Sequence, residues 1–137
     1  MIGVRISGGL GNQMFQYAFA RSLQSRGKHV CMHWHPHHSK SCHNGFELDR
    51  VFQVQCSDTI PLVSQSLLSR WQAWWLRKTA RTREVHELQF QAHFLDTQAG
   101  YLDGYWQTEQ YFELIRDKIC ADFEFKPLTG PKNLELQ

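Results

Sequence analysis

The feature that most constrains the fold is a glycine-rich turn between a short apolar run and an amphipathic one. The apolar run over residues 2–7 predicts a buried first strand, which Gly8 and Gly9 end. From Asn12 to Arg26 the sequence predicts a helix, with Asn12 as its N-cap and Gly27 just beyond its end. Its inner residues recur at steps of three and four: Phe15, Ala18, Phe19, Ser22 and Leu23.

Residues 29–34 predict a second strand directly after this helix. A strand, a glycine turn, a helix and a second strand form a βαβ unit, which implies a parallel sheet. The fold class is therefore α/β, with a Rossmann-like parallel sheet and flanking helices. At 137 residues the chain is long enough for one domain with a sizeable core. We assign residues 1–126 to that domain and residues 127–137 to an exit linker.

The remaining elements are predicted from weaker patterns. The pattern over residues 46–55 predicts a short turn-like segment that leads to a strand near 53–56. The pattern over residues 63–83 predicts a long helix. A strand over 101–107 is followed by a helix from Thr108 to Phe123. The inner stripe of that last helix is Phe112, Ile115 and Ile119.

Composition excludes several classes of protein. A formal charge of +2 is too small to indicate nucleic-acid binding. The four cysteines contain no CxxC pair, which favours reduced thiols over a zinc ribbon or a disulfide scaffold. Because no leader pattern and no long apolar stretch occurs, we expect a cytoplasmic protein, with contact at the inner face of the membrane as an open alternative.

The turn Ser7-Gly8-Gly9-Leu10-Gly11-Asn12-Gln13 is the strongest chemical signal. Glycines let backbone N–H groups approach a ligand closely, and the start of a helix favours anions, so the turn suits a phosphate or pyrophosphate. No Gly-Lys-Ser/Thr follows, which excludes a Walker A loop. Met14 stands where the dinucleotide fingerprint needs Gly or Ala, and no acidic residue lies near position 30. A tight turn that serves packing alone is the competing interpretation.

Three blocks of the sequence resemble glycosyltransferase family 11, the α-1,2-fucosyltransferases. The first is RISGGLGNQMFQYAFARSL, residues 5–23, which is similar to the family's N-terminal signature. The second is GYWQTEQYF, residues 104–112, and a weaker third is the segment 46–49 followed by Phe52. They stand in the family's order and bracket most of the chain.

The resemblance implies one half of a two-domain GT-B enzyme that transfers L-fucose from GDP-fucose to a sugar hydroxyl with inversion. It implies no metal and no other cofactor. The acceptor would be a surface glycan, which could be lipid-linked. The donor-binding residues carried over onto the glycine turn are Gly9, Gly11, Asn12 and Gln13.

One family motif has no counterpart in the chain. The Arg-rich donor motif, His-x-Arg-Arg-Gly-Asp, is absent, and no Arg-Arg pair occurs anywhere in the sequence. A bidentate arginine is the natural clamp for a leaving diphosphate. We therefore expect a truncated form that is inactive alone. The sequence identifies no catalytic base.

Acceptor contacts are expected in two places. The first is Asp103, Tyr105, Trp106 and Gln107, because aromatic rings stack on sugars and a carboxylate can orient a hydroxyl. The second is His35, in the histidine-rich stretch over residues 33–43, which would follow a strand at the ligand-binding edge. Core packing of the aromatic rings is the alternative for the first place. For the histidines, the spacing fits no structural zinc motif, so we predict no metal site.

The predicted helix over residues 63–83 combines tryptophans with basic residues. Trp71, Trp74 and Trp75 lie beside several arginines and one lysine, with no acidic residue between Val63 and Arg83. This pattern suits either a helix packed on the sheet, which we favour, or a helix at an anionic membrane surface. Two further functions therefore stay open beside the transferase: a non-catalytic carbohydrate- or phosphate-binding module, and a membrane-surface interaction module.

Overall fold

A computed structural model of the protein describes residues 1–34, 45–54, 81–83 and 89–127. Within these ranges the chain forms an α/β fold built on a parallel sheet. The strands are β1 (Ile2–Ile6), β2 (Val30–Trp34), β3 (Arg81–Arg83) and β4 (Gly100–Asp103). The α-helices are α1 (Leu10–Ser25), α2 (Leu48–Val51) and α3 (Arg116–Asp122). Short 3-10 turns occupy Ala92–Asp96, Glu109–Tyr111 and Glu113–Ile115.

The strand order in the described sheet is β2-β1-β4-β3, and every pairing is parallel. β1 therefore lies inside the sheet, between β2 and β4. The alternate residues Ile2, Val4 and Ile6 of β1 are buried and apolar, as expected of a strand with one face in the core. Since all carboxyl ends meet at one edge, the segments that follow β1 and β4 are brought side by side.

The two faces of the sheet differ in composition. The register places Ile2 and Val4 beside Val30 and Met32, and Val4 also beside Leu102, all in the apolar core that α1 covers. On the opposite face the same register aligns a second set of partners. These residues are Gly3, Arg5, Cys31, His33 and Tyr101. Asp103 shares this face because it lies two positions after Tyr101 in β4. One face is thus an aliphatic core, and the other carries polar and titratable side chains.

Helix α1 begins two residues earlier than the sequence predicts. Its N-cap is Gly9, in extended conformation, and Asn12 lies inside the first turn, so the prediction of an Asn12 cap is wrong. The predicted helix end is confirmed, because Gly27 follows the C-cap Arg26 with φ +77°. The Gly27 N–H bonds to Gln24 O at 2.9 Å and the Lys28 N–H to Leu23 O at 3.3 Å, which is a Schellman motif.

The predicted strand over 101–107 is shorter, and the predicted helix over 108–123 is broken. β4 ends at Asp103, and Trp106 adopts φ 57°, a left-handed conformation outside the range of regular strands. Thr108 precedes a 3-10 turn without a side-chain cap, and regular helix begins only at Arg116. The predicted inner stripe is nevertheless turned inward: Ile119 is buried, and Phe112 and Ile115 pack partly buried against the core.

The C-terminal end of the described chain pairs with the segment after α2. Phe52 and Phe125 form an antiparallel bridge, and the backbone N–H of Lys126 donates to Val51 O at 3.0 Å. Hydrogen bonds from α1 to α3 also join distant parts of the chain, since Arg21 Nε and Tyr17 OH both donate to one carboxylate oxygen of Asp122.

Several predicted elements lie outside the described residues. They include most of the strand near 53–56, the tryptophan-rich segment over 63–80, His35 with the rest of its loop, and the linker after Pro127. Residues 81–83, predicted as the last turn of the tryptophan-rich helix, instead form β3 beside β4.

Candidate functional site

The two sequence blocks at 5–23 and 104–112 meet at the carboxyl edge of the sheet. Gln107 Nε2 donates to Asn12 Oδ1 at 2.7 Å, across 95 residues of sequence. Asn12 comes from the glycine turn after β1, and Gln107 from the turn after β4. Because ligands of open parallel sheets bind outside the carboxyl ends of the strands, these two side chains lie where a ligand would be expected.

Gly8 allows Asn12 to lie close to the backbone of the turn. Gly8 has φ +82°, and a Cβ added there would lie 2.6 Å from Asn12 Nδ2. Both the backbone conformation and the space therefore require glycine at this position. The side chain of Asn12 is held between Gly8 and Gln107, which fixes its direction before any ligand arrives.

The start of α1 has the properties of an anion-binding helix terminus. The first turn of this 16-residue helix contains no acidic residue, and no side chain caps it. Its first backbone N–H groups have no partner within the helix, and the helix dipole adds positive potential there. Gly11 is exposed, and a Cβ built on it would have nothing within 4 Å, which leaves room for a ligand beside the backbone.

The side chain of Gln13 makes its hydrogen bonds within the protein. It is fully buried, and its Nε2 donates to Gly8 O at 2.9 Å and to Gly45 O at 2.8 Å. Its Oε1 accepts the backbone N–H of Glu47 at 2.9 Å. All four hydrogen-bonding positions of an amide can be used, and three are occupied here. Gln13 thus supports the turn from beneath, and we leave it out of the proposed ligand contacts.

Gln16 is a structural member of the site that the sequence reasoning missed. It is fully buried, and its Oε1 accepts the Ser7 N–H at 2.9 Å while its Nε2 donates to Gly104 O at 2.9 Å. One side chain on α1 therefore joins the turn after β1 to the turn after β4. The signal available in the sequence was a glutamine, one helical turn after Gln13, on the face that the helix buries.

An ion pair lies on the polar face of the sheet near the same edge. Arg5 Nη1 donates to Asp103 Oδ1 at 2.9 Å, and the two side chains retain 25% and 9% of their exposure. Asp103 was expected at the site, whereas Arg5 was not. Arg5 was not among the predicted ligand contacts, because the sequence does not reveal that β4 pairs with β1.

The two aromatic residues expected at the acceptor have different positions. Trp106 is fully buried, stacked on Phe19 with ring centroids 4.3 Å apart and edge-on to Phe94 at 4.7 Å. A sugar cannot stack on a ring that has no exposed surface, so the packing interpretation fits Trp106. Tyr105 is only partly buried.

The polar face continues from the ion pair to a His–Tyr contact. His33 Nδ1 lies 3.3 Å from Tyr101 OH, and the two rings meet edge-on. The ring of Tyr101 passes over Gly3, whose added Cβ would lie 3.0 Å from Tyr101 Cδ2. His33 is therefore a buried strand residue, and within the described ranges no group of three or more histidine, cysteine or acidic side chains could hold a metal ion.

Cys31 and Cys120 are free thiols in different surroundings. Cys31 is buried on the polar face, where its Sγ donates to Ile2 O at 3.6 Å, and desolvation raises its pKa. Cys120 is exposed on α3. Among the described residues, neither cysteine forms a hydrogen bond with the glycine turn.

Two further findings complete the description. Of the helices in the described ranges, none combines the length and apolar character that a membrane crossing requires. No protein-family model, curated protein or solved structure matches the chain.

Proposed function

We propose that this chain is the Rossmann-like half of a GT-B-type α-1,2-fucosyltransferase, and that its glycine turn binds the diphosphate side of GDP-fucose. The single observation that carries the proposal is the hydrogen bond between Asn12 and Gln107. It joins the two sequence blocks that most resemble glycosyltransferase family 11. Side chains that are distant in sequence and meet at a ligand-binding edge are expected of a shared site.

The start of α1 supports a phosphate-containing ligand. It offers backbone N–H donors, a positive dipole end and no acidic competitor in its first turn. Gly11 leaves the approach open, and Asn12 adds an amide with a fixed direction. In this proposal Gly9, Gly11 and Asn12 contact the donor. Gln13 and Gln16 keep the turn in place.

The acceptor is a glycan hydroxyl in this proposal, and the transfer inverts the sugar without a metal. We expect binding without appreciable turnover from this chain, because its sequence lacks an Arg-Arg pair to clamp the departing diphosphate. A non-catalytic phosphate-binding module is the second candidate, since the same helix terminus would bind any phosphate. The membrane-surface module gains no support from the described residues.

The proposal is tested by calorimetric titration of the whole chain with GDP-fucose, GDP, GDP-mannose and inorganic phosphate. The informative variant is Gly11→Ala. Alanine in a helix should raise the free energy of unfolding by about 0.5–1 kcal/mol, because it restricts the unfolded chain. Its methyl group would occupy the open space beside the turn, so we expect GDP-fucose affinity to fall at least about tenfold, or about 1.4 kcal/mol.

Two further variants complete the test. Asn12→Ala and Gln107→Ala should weaken GDP-fucose binding in the same direction, because Gln107 orients Asn12. Ser25→Ala, at the far end of α1, is the matched control and should change nothing. GDP-fucose binding that survives Gly11→Ala and Asn12→Ala would place the donor elsewhere. Equal affinity for GDP-fucose and inorganic phosphate would favour the phosphate-binding module.

A further inference from the structure

The hydrogen bond between Asn12 and Gln107 leaves part of each side-chain amide unused. Gln107 Nε2 donates to Asn12 Oδ1 at 2.7 Å, so the Nδ2 donors of Asn12 and the Oε1 acceptor of Gln107 remain. Within the described part of the chain, neither of these two groups has a hydrogen-bond partner. Neither belongs to the buried polar atoms that lack a partner, so both reach solvent. The pair therefore presents a donor and an acceptor together to a ligand.

The backbone around both side chains fixes the direction of this edge. The Asn12 side chain lies against Gly8, where an added Cβ would come within 2.6 Å of Nδ2. The Thr108 N–H donates to Trp106 O at 2.8 Å, which closes a γ-turn with Gln107 at its centre. Trp106 is fully buried at φ 57°, a conformation that bulky residues rarely adopt. Residues in such conformations cluster at ligand-binding and active sites, which supports a ligand contact at Gln107.

The same edge lies beside the start of α1. Among the described hydrogen bonds, the first backbone N–H of α1 with a partner is that of Gln13, which donates to Gly9 O at 3.1 Å. Asn12 therefore belongs to the first turn, whose free N–H groups the donor proposal assigns to the diphosphate. One helical turn rises about 5.4 Å, so a group held by Asn12 lies near that diphosphate. In GDP-fucose the rings joined most directly to the diphosphate are fucose and ribose.

The hydrogen-bonding pattern of the pair decides which chemical group it suits. A phosphate oxygen can accept from Asn12 Nδ2, but it has no hydrogen for Gln107 Oε1 and would face that partly negative atom. A hydroxyl meets no such conflict, because its oxygen accepts from Nδ2 while its hydrogen is donated to Oε1. The pair therefore favours a sugar hydroxyl over a phosphate.

We propose that Gln107 is a direct, specificity-determining contact, which together with Asn12 binds a hydroxyl of a sugar ring joined to the diphosphate. The inference rests on the proposed function, because the diphosphate at the glycine turn brings that ring to the pair. It deepens that function by giving Gln107 a ligand contact of its own, beyond the orientation of Asn12. The pair binds and orients the ring and transfers no proton.

Calorimetric titration of the whole chain with three ligands tests the assignment: GDP-fucose, GDP and inorganic pyrophosphate, which carries no sugar hydroxyl. Gln107→Met keeps the length of the side chain and removes both polar groups. We expect it to weaken GDP-fucose binding at least about tenfold and to leave pyrophosphate binding unchanged. Gln107→Asn keeps an amide but shortens its reach. It should show the same pattern, and it guards against misfolding of the methionine variant.

The titration with GDP identifies the ring that carries the hydroxyl. If Gln107→Met leaves GDP affinity unchanged, the hydroxyl belongs to the fucosyl group. If GDP and GDP-fucose lose affinity equally while pyrophosphate does not, the hydroxyl belongs to the ribose. Gln110→Met is the matched control, because Gln110 is an exposed glutamine in the following 3-10 turn. It should leave the affinity for all three ligands as it is in the wild type.

Three results would overturn the inference. If Gln107→Met weakens pyrophosphate binding as much as GDP-fucose binding, Gln107 only supports the turn. If both Gln107 variants bind every ligand as the wild type does, the edge contacts no ligand. An equal loss in Gln110→Met would show general destabilisation.

Failure of the donor proposal has a different signature. In that case the folded wild type binds none of the three ligands, or Gly11→Ala leaves all three affinities unchanged. If Gly11→Ala weakens all three while the Gln107 variants weaken none, only the present inference is refuted.

Discussion

The two faces of the parallel sheet carry different kinds of side chain. On the face toward α1 the strands present Ile2, Val4, Met32 and Leu102, which are completely buried and aliphatic. On the other face, at alternate positions of the same strands, they present buried residues that carry hydrogen bonds and charge. Burial alone therefore does not distinguish the two sets, since residues of both faces are buried and only their polarity differs.

The polar face still contributes to stability, but through directed contacts. Tyr101 crosses Gly3 to reach His33, and Arg5 reaches Asp103, so each contact ties β4 to the strands beside it. Such contacts contribute little individually, because the bonds they make replace bonds to water. Apolar burial contributes more for each residue. We therefore expect substitutions on the two faces to lower the free energy of unfolding by unequal amounts.

The largest effect should come from Leu102→Ala. Leu102 has no exposure and lies in the centre of the core, so the change removes buried area and leaves a cavity. We expect the free energy of unfolding to fall by about 3 kcal/mol, within the range of such substitutions. Urea unfolding followed by circular dichroism measures it. Leu114→Ala, at a residue with 87% exposure, is the control and should change stability by less than about 0.5 kcal/mol.

A smaller effect is expected one residue earlier in the same strand. Tyr101 is as buried as Leu102, but Tyr101→Phe keeps the ring and removes only the hydroxyl that contacts His33. The same unfolding experiment should show a loss of about 1 kcal/mol, the usual net value of one hydrogen bond. A loss as large as that of Leu102→Ala would contradict the proposed difference between the faces.

The smallest effect concerns Cys31 and appears only in alkaline solution. Burial raises the pKa of its thiol, so the folded chain retains a proton that the unfolded chain releases. The contribution to stability is complete below the pKa of the unfolded thiol and is lost as pH rises toward the folded value. Unfolding of the wild type between neutral pH and pH about 10 should therefore show a steeper decline than that of Cys31→Ala.

The control for this measurement is the other described cysteine. Cys120→Ala removes an exposed thiol and should leave the pH dependence of stability as it is in the wild type. Equal slopes for the wild type and Cys31→Ala would show that the polar face admits water to the thiol.

The first third of the fold could be predicted from the sequence because its signals are local. The alternation and apolar character of β1 and β2, the helical period of α1 and the glycine at its end all lie within a few residues of the elements they define. The wrong N-cap at Asn12 has two causes. Gly9 can also cap a helix, and the Asn12 side chain accepts a hydrogen bond from Gln107 and caps no backbone N–H.

The later part of the fold could not be predicted as well, because long-range packing decides it. The aromatic side chains after β4 fill the space beneath α1, with Trp106 between Phe19 and Phe94. That packing holds Trp106 in a left-handed conformation and leaves only short helical turns before Arg116. The periodic pattern of apolar residues indicates a continuous helix here. It contains no information about how the aromatic rings pack against α1, and that packing breaks the helix.

The candidate site shows the same limit. Glycines and Asn12 could be named from the turn, and Gln107 from its sequence block. Arg5 and Gln16 could not, because their importance follows from the pairing of β1 with β4 and from the position of Gly104. Whether the turn binds GDP-fucose stays a prediction until the titrations are made.

The separation in sequence of the contacts at the ligand edge has a consequence for how the protein folds. Arg5 and Asp103 are 98 residues apart, Asn12 and Gln107 are 95, and Gln16 and Gly104 are 88. Closing such long loops costs entropy, so contacts of this kind form late compared with the local turns of α1. We expect the unit of β1, α1 and β2 to collapse first, with its glycine turn still unsupported. The site would then become able to bind a ligand in a single late step, when β4 pairs with β1.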